Sequence, residues 1–236
     1  MSKPPKIDRK SLKNPDEFVK AGNAILDWVA EHRLPLFSSI IAVVVIVAGI
    51  EGYFMWRTDK SDKGWVAYYT ANSAPDKDRM DKLKAVAGEY PNTRAGYFAE
   101  VGVADLYYKT AEAGTDSSAA AQAADWYGKA VAFSSLIPSE KQLVLIDRGN
   151  AYEIAGKLDE AVADYQAAAG MTGDATPLAL LNEGRIWEMK KDSTKAQAAF
   201  DKVGSDFPNS EYAKQAKNYL RLFKSPLFQG IHSKDS

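Results

Sequence analysis

The chain has 236 residues, 46% of them hydrophobic, which suits one packed domain with attachments and excludes wholesale disorder. Thirty Lys and Arg against 31 Asp and Glu leave a formal charge of −1, so there is no general attraction to phosphate backbones and nucleic-acid binding is not expected. Cysteine is absent and His32 and His232 are the only histidines, which excludes disulfides, thiolate metal sites and cysteine nucleophiles and leaves few general bases.

The first predicted element is a short helix. Asn14-Pro15-Asp16-Glu17 combines a capping side chain, a proline at the first helical position and acids at the positive end of the dipole. Phe18, Gly22, Ile25, Leu26 and Val29 then recur at helical spacing. An amphipathic helix of this kind can rest on a bilayer surface or dock on a membrane partner.

Residues 34–56 read LPLFSSIIAVVVIVAGIEGYFMW, with Glu51 the only formally charged side chain. At ~1.5 Å per residue this stretch makes roughly 35 Å of helix, against a hydrocarbon core of about 30 Å. Ten Leu, Ile, Val or Phe lie between positions 36 and 50. Together they favour insertion by roughly 3–6 kcal/mol. Glu51 sits near one end, Tyr53 and Trp56 fall where an interfacial aromatic belt belongs, and Arg57 closes the span. A long polar segment precedes the run and bulky residues follow it, which points to an uncut anchor rather than a signal peptide or a core helix.

Orientation has weaker local support. Residues 1–33 carry seven basic and five acidic side chains, and Arg57, Lys60 and Lys63 flank the other end. The expectation is a cytoplasmic tail over 1–33, a transmembrane helix over 34–57 and a large external domain over 58–225, ending in a polar tail over 226–236.

The external domain is rich in Ala and Tyr, without strand alternation, and it repeats. Leu145, Gly149, Tyr152, Gly156, Ala161, Tyr165 and Ala168 are followed by Gly184, Trp187, Ala196, Phe200 and Pro208, with Gly149 and Gly184 set 35 residues apart. Lys191 stands where the first copy has Gly156, so a different turn is expected there. Upstream, Ala104, Tyr107, Ala123, Tyr127 and Ala130 fit an expanded copy with a loop at Gly114-Thr115-Asp116-Ser117-Ser118, and 64–92 fits a degenerate one. Small residues let two helices approach, and Tyr152, Tyr165, Trp187 and Phe200 fill the spaces beside them. Tyr90-Pro91-Asn92-Thr93 and Phe207-Pro208-Asn209-Ser210 occupy equivalent junctions, where Asn92 or Thr93 and Asn209 or Ser210 can cap the next helix. Tyr212, Ala213, Ala216, Tyr219, Leu220 and Phe223 form a one-sided terminal stripe.

These residue types and spacings resemble the tetratricopeptide repeat. Together with the apolar run at 34–56, the resemblance implies an all-α protein: a single N-terminal transmembrane helix followed by an α-solenoid of tetratricopeptide-like helical hairpins. It further implies a peptide-binding groove lined by the first helix of each pair. Its positions are Phe98, Val101, Asp105 and Tyr108 in one copy, Leu143, Ile146, Asn150 and Glu153 in the next, and Leu178, Leu181, Arg185 and Glu188 in the last. The basic clamp of readers of acidic C-termini is not matched, since Ile146 occupies one of its lysine positions.

No phosphate loop, metal-binding His pair or nucleophile elbow occurs, so neither catalysis nor a cofactor or metal is expected. In layout the chain resembles the ancillary SecYEG translocon subunits (the YfgM-like group) of the bacterial inner membrane. That resemblance implies protein partners, namely translocon subunits, a periplasmic chaperone or exported clients. It implies no small-molecule substrate, is compatible with a homo-oligomer, and puts the repeat domain in the periplasm. The alternative is a structural scaffold of another envelope machine serving outer-membrane assembly, division, secretion or a pilus.

Overall fold

The computed structural model describes residues 15–223, with side chains from Phe18 onward. The expected cap Asn14 and the expected tail at 226–236 lie outside the described residues. Among these, every regular element is an α-helix. The chain divides into two compact units, Met1–Asp59 and Lys60–Ser236.

The first unit holds α1, Pro15–Glu31, and most of α2, which runs Arg33–Asn72. Phe18, Val19, Ile25, Leu26 and Val29 of α1 are exposed. His32 interrupts the helix only briefly: its N–H bonds the Trp28 carbonyl, its own carbonyl takes the Leu36 N–H, and its ring stacks on Trp28 at 4.7 Å. Pro35 falls in the first turn of α2, where a missing N–H costs least. Its carbonyl accepts the hydroxyls of Ser38 and Ser39. One window of α2 has a mean hydropathy of 2.3 and no buried residue, so this helix is long and apolar enough to cross a membrane. A core helix would instead be covered. The helix continues through the polar positions 57–63, since no proline intervenes.

In the second unit the end of α2 packs with α3, Asp76–Glu89, and α4, Arg94–Gly114. Gly64 lets α2 approach closely, because a Cβ there would stand 3.2 Å from Ala95 and from the Tyr90 ring. Six further helices follow: α5 (Ser117–Val131), α6 (Pro138–Ile154), α7 (Leu158–Ala169), α8 (Thr176–Met189), α9 (Ser193–Asp206) and α10 (Glu211–Phe223). From α4 onward each packs against the helix before it, and α4, α6, α8 and α10 also touch in succession.

The turns from α4 to α5, α6 to α7 and α8 to α9 share one design. Thr115, Gly156 and Lys191 take φ of 52°, 73° and 62°, all left-handed. In each, the next N–H reaches back five residues: Asp116 to Ala111, Lys157 to Tyr152 and Asp192 to Trp187. This bond closes the last helical turn in the manner of a Schellman motif. The expectation of a different turn at Lys191 is therefore corrected, because a bond pattern imposed by the flanking helices holds a lysine in the conformation glycine adopts for free. The expected five-residue loop is also shorter, since α4 absorbs Gly114 and Asp116 caps α5 by accepting the N–H groups of Ser118 and Ala119. At the two proline junctions the caps are Thr93, which accepts the Gly96 N–H at 3.1 Å, and Ser210, which accepts that of Ala213 at 3.2 Å.

Alanine dominates the core, so the helices lie close and a few rings fill what remains. Tyr165 and Phe200 are fully buried. A Cβ at Gly149 would stand 2.7 Å from a Tyr165 ring carbon, and one at Gly184 would stand 2.5 Å from Phe200. Tyr152 and Trp187 are instead half-buried. Ammonium groups cover their rings, with Lys195 Nζ 4.1 Å from the Trp187 centroid and Lys157 Nζ 5.8 Å from that of Tyr152. Phe200 also stacks on Tyr219 of α10 at 4.6 Å.

Candidate binding groove

The residues at one helical register of α4, α6 and α8 meet in a groove. From α4 come Asp105, Tyr108, Ala111 and Glu112; from α6 come Asp147, Asn150, Glu153 and Ile154; from α8 comes Arg185. Within each helix these positions fall three or four apart, which is why they share a face. They bound two neighbouring cavities of about 370 and 230 Å³, which share Tyr108 and Asn150 as walls.

Buried tyrosines on the following helices set the polar pattern. The Tyr127 hydroxyl of α5 donates to Asp105 Oδ1 at 2.6 Å, and that of Tyr165 on α7 donates to Asn150 Oδ1 at 2.7 Å. A buried hydroxyl left without an acceptor is costly, so each Tyr is matched by an Asp or Asn. The third copy has Phe200, which needs no acceptor, and there the groove residue is Arg185. Its guanidinium bonds Glu153 Oε1 at 2.6 Å and Asn182 Oδ1 at 3.1 Å.

The electrostatics differ along the groove. Arg185 and Glu153 neutralise each other at the α6–α8 end. Between α4 and α6 lie Asp105 and Asp147, and among the described residues no ion pair reaches either. Burial pushes the Asp147 carboxyl up to about 6, with the nearby Asp105 charge adding to the effect. Burial also raises Asp105, opposed by the bond from Tyr127. Tyr127 and Tyr165 are raised mainly by burial. Both rings stay neutral at physiological pH.

Of the sequence-predicted groove residues, the structure brings Asp105, Tyr108, Asn150, Glu153 and Arg185 around these cavities. Ile146 and Leu181 are 3% exposed each and belong to the core, so neither can touch a ligand in this conformation. Phe98 and Val101 pack partly against the core beside Tyr97, and the Phe98 ring lies 5.5 Å from that of Trp65. Leu178 is likewise half-covered, Leu143 is exposed, and Glu188 is half-buried outside both cavities. Sequence reasoning missed Asp147, Glu112, Asn182 and the tyrosine hydroxyls. Asp147 and Asn182 were findable, because each precedes a predicted groove residue by one helical turn, at the same 35-residue interval. Among the described residues no group of three or more His, Asp or Glu is placed to hold a metal ion. The chain matches no protein-family model and no curated protein.

Proposed function

We propose that residues 60–223 are a tetratricopeptide-like stack of helical hairpins in a non-catalytic scaffold, anchored in a bacterial inner membrane by α2, that binds other polypeptides in this groove. The observation that carries the reading is the line of Asp105, Asn150 and Arg185 along open cavities. Equivalent positions of three successive hairpins line two adjoining cavities, with Asn150 shared by both, instead of packing away. Arrays of helical pairs use such a surface to grip extended segments. The resemblance in layout to ancillary SecYEG translocon subunits supplies the partner class: channel subunits, a periplasmic chaperone or exported clients, with the N-terminus cytoplasmic.

A photo-crosslinking residue in place of Tyr108, with one at the exposed Asp125 as control, tests this in native membranes. Channel subunits or a chaperone joined only through position 108 are expected. One stoichiometric partner from another envelope machine would move the scaffold to outer-membrane assembly, division, secretion or pilus formation. Equal yields at both positions would reject the groove. Because the chain has no cysteine, Ser118→Cys introduces its only thiol. A membrane-impermeant maleimide should label it from the periplasmic side.

A further inference from the structure

We propose that the α4–α6 end of the groove receives a basic side chain, so that the bound segment carries a Lys or Arg seated between Asp105 and Asp147. The proposal rests on the peptide-binding reading above and adds the chemistry of the ligand.

The receptor is a cavity of about 230 Å³ walled by Asp105, Tyr108, Tyr127, Asp147 and Asn150. Aromatic walls suit the methylene stem of a long cationic side chain, and two carboxylates suit its head. The charge pattern adds to this. Glu153, further along the groove, is matched by Arg185, as Asp164 is by Arg148 and Glu140 by Arg94 outside it. Asp105 has only a tyrosine hydroxyl, and among the described residues no salt bridge reaches Asp147. Two like charges sharing a partly desolvated space repel, and each would be relieved by an incoming cation.

Packing does not require either charge. Asn150 accepts the Tyr165 hydroxyl just as Asp105 accepts that of Tyr127. Asn182 stands 35 residues after Asp147 and carries a neutral amide. The fold thus accommodates Asn at both registers, yet places Asp at both where α4 and α6 face each other. A carboxylate pair that the fold does not need, and leaves uncompensated in a cavity, is suited to recognition. The other cavity lacks this preference, because Arg185 already occupies Glu153.

The test uses the full chain in lipid nanodiscs and four libraries of dodecapeptides. Flanking positions are randomised and the sixth residue is fixed as Lys, Arg, Gln or Glu. Retention of the Lys and Arg libraries at least tenfold above the Gln library is expected, with the Glu library below it. Asp105→Asn combined with Asp147→Asn, a pair of neutral amides already tolerated in neighbouring hairpins, should bring the ratio close to one. If the Gln and Lys libraries are retained equally, and both are lost with Tyr108→Ala, the charge preference is wrong while the groove reading stands. If no library is retained above the level of the heat-denatured chain, both fall.

Discussion

Lys191 holds φ at 62°, a conformation that costs an L-residue about 1–2 kcal/mol. Replacing it with glycine removes that strain but loosens the unfolded chain. Lys191→Gly is expected to stabilise the protein by about 0.5–1 kcal/mol in urea denaturation, and Gly156→Ala to destabilise it by a similar amount. Asp147 gives a prediction of the opposite kind, in pH rather than in backbone. Its carboxyl is raised from 3.8 to about 6 in the folded chain, so the native state holds its proton more tightly than the unfolded state does. Stability therefore falls as pH rises between those values, and the penalty persists above about 6. Asp147→Asn should raise the melting temperature at pH 7.5, with the gain vanishing by about pH 4. An advantage of the same size at both pH values would show that charge is not its source.

Between elements, the decisive quantity is how near two helices can come. Gly149 and Gly184 are legible in the sequence as a pair at a fixed interval, and their partners Tyr165 and Phe200 confirm the reason, since a methyl group has no space at either site. Gly149→Ala and Gly184→Ala should each cost about 1–3 kcal/mol through overpacking. At Gly88 and Gly204, also helical, a Cβ would meet nothing within 4 Å. Alanine there should stabilise by about 0.5–1 kcal/mol through helix propensity alone. The urea midpoints of the four variants should therefore split into two groups of opposite sign. Turn geometry was less legible. A lysine and a threonine adopt the glycine conformation because the carbonyls of Ala111 and Trp187 await the N–H groups that follow them, a demand no local propensity expresses.

At the scale of the molecule, contacts run between helices close in the chain. An arrangement of that kind loses stability locally, not all at once. Deleting α10 strips Tyr219 and Phe223 from Phe200 and should uncover the core shared by α8, α9 and α10. Hydrogen exchange in the full-length background is expected to show protection lost first in α8 and α9, with α4 to α6 retained. Uniform loss would mean one cooperative unit instead. The apolar helix makes a separate demand, because one window of it is wholly uncovered by protein and must find lipid or a partner. Alkaline carbonate should leave the chain in the membrane pellet.

What the sequence determined alone was whatever depends on the angle around a single helix axis. That covers the helical class, the apolar helix, the small-residue contacts at Gly149 and Gly184, and the shared register of Asp105, Asn150 and Arg185. Exposure depends in addition on how neighbouring helices approach, and only the tertiary structure decided it. Ile146 and Leu181 share the periodicity of the groove residues yet lie inside, while Leu143 lies outside. The same holds for charge. Arg148 meets Asp164 across a turn, whereas Asp105 and Asp147, 42 residues apart in the chain, line one cavity, and among the described residues no salt bridge reaches either. Periodicity within one helix carries no record of what the next helix sets opposite it.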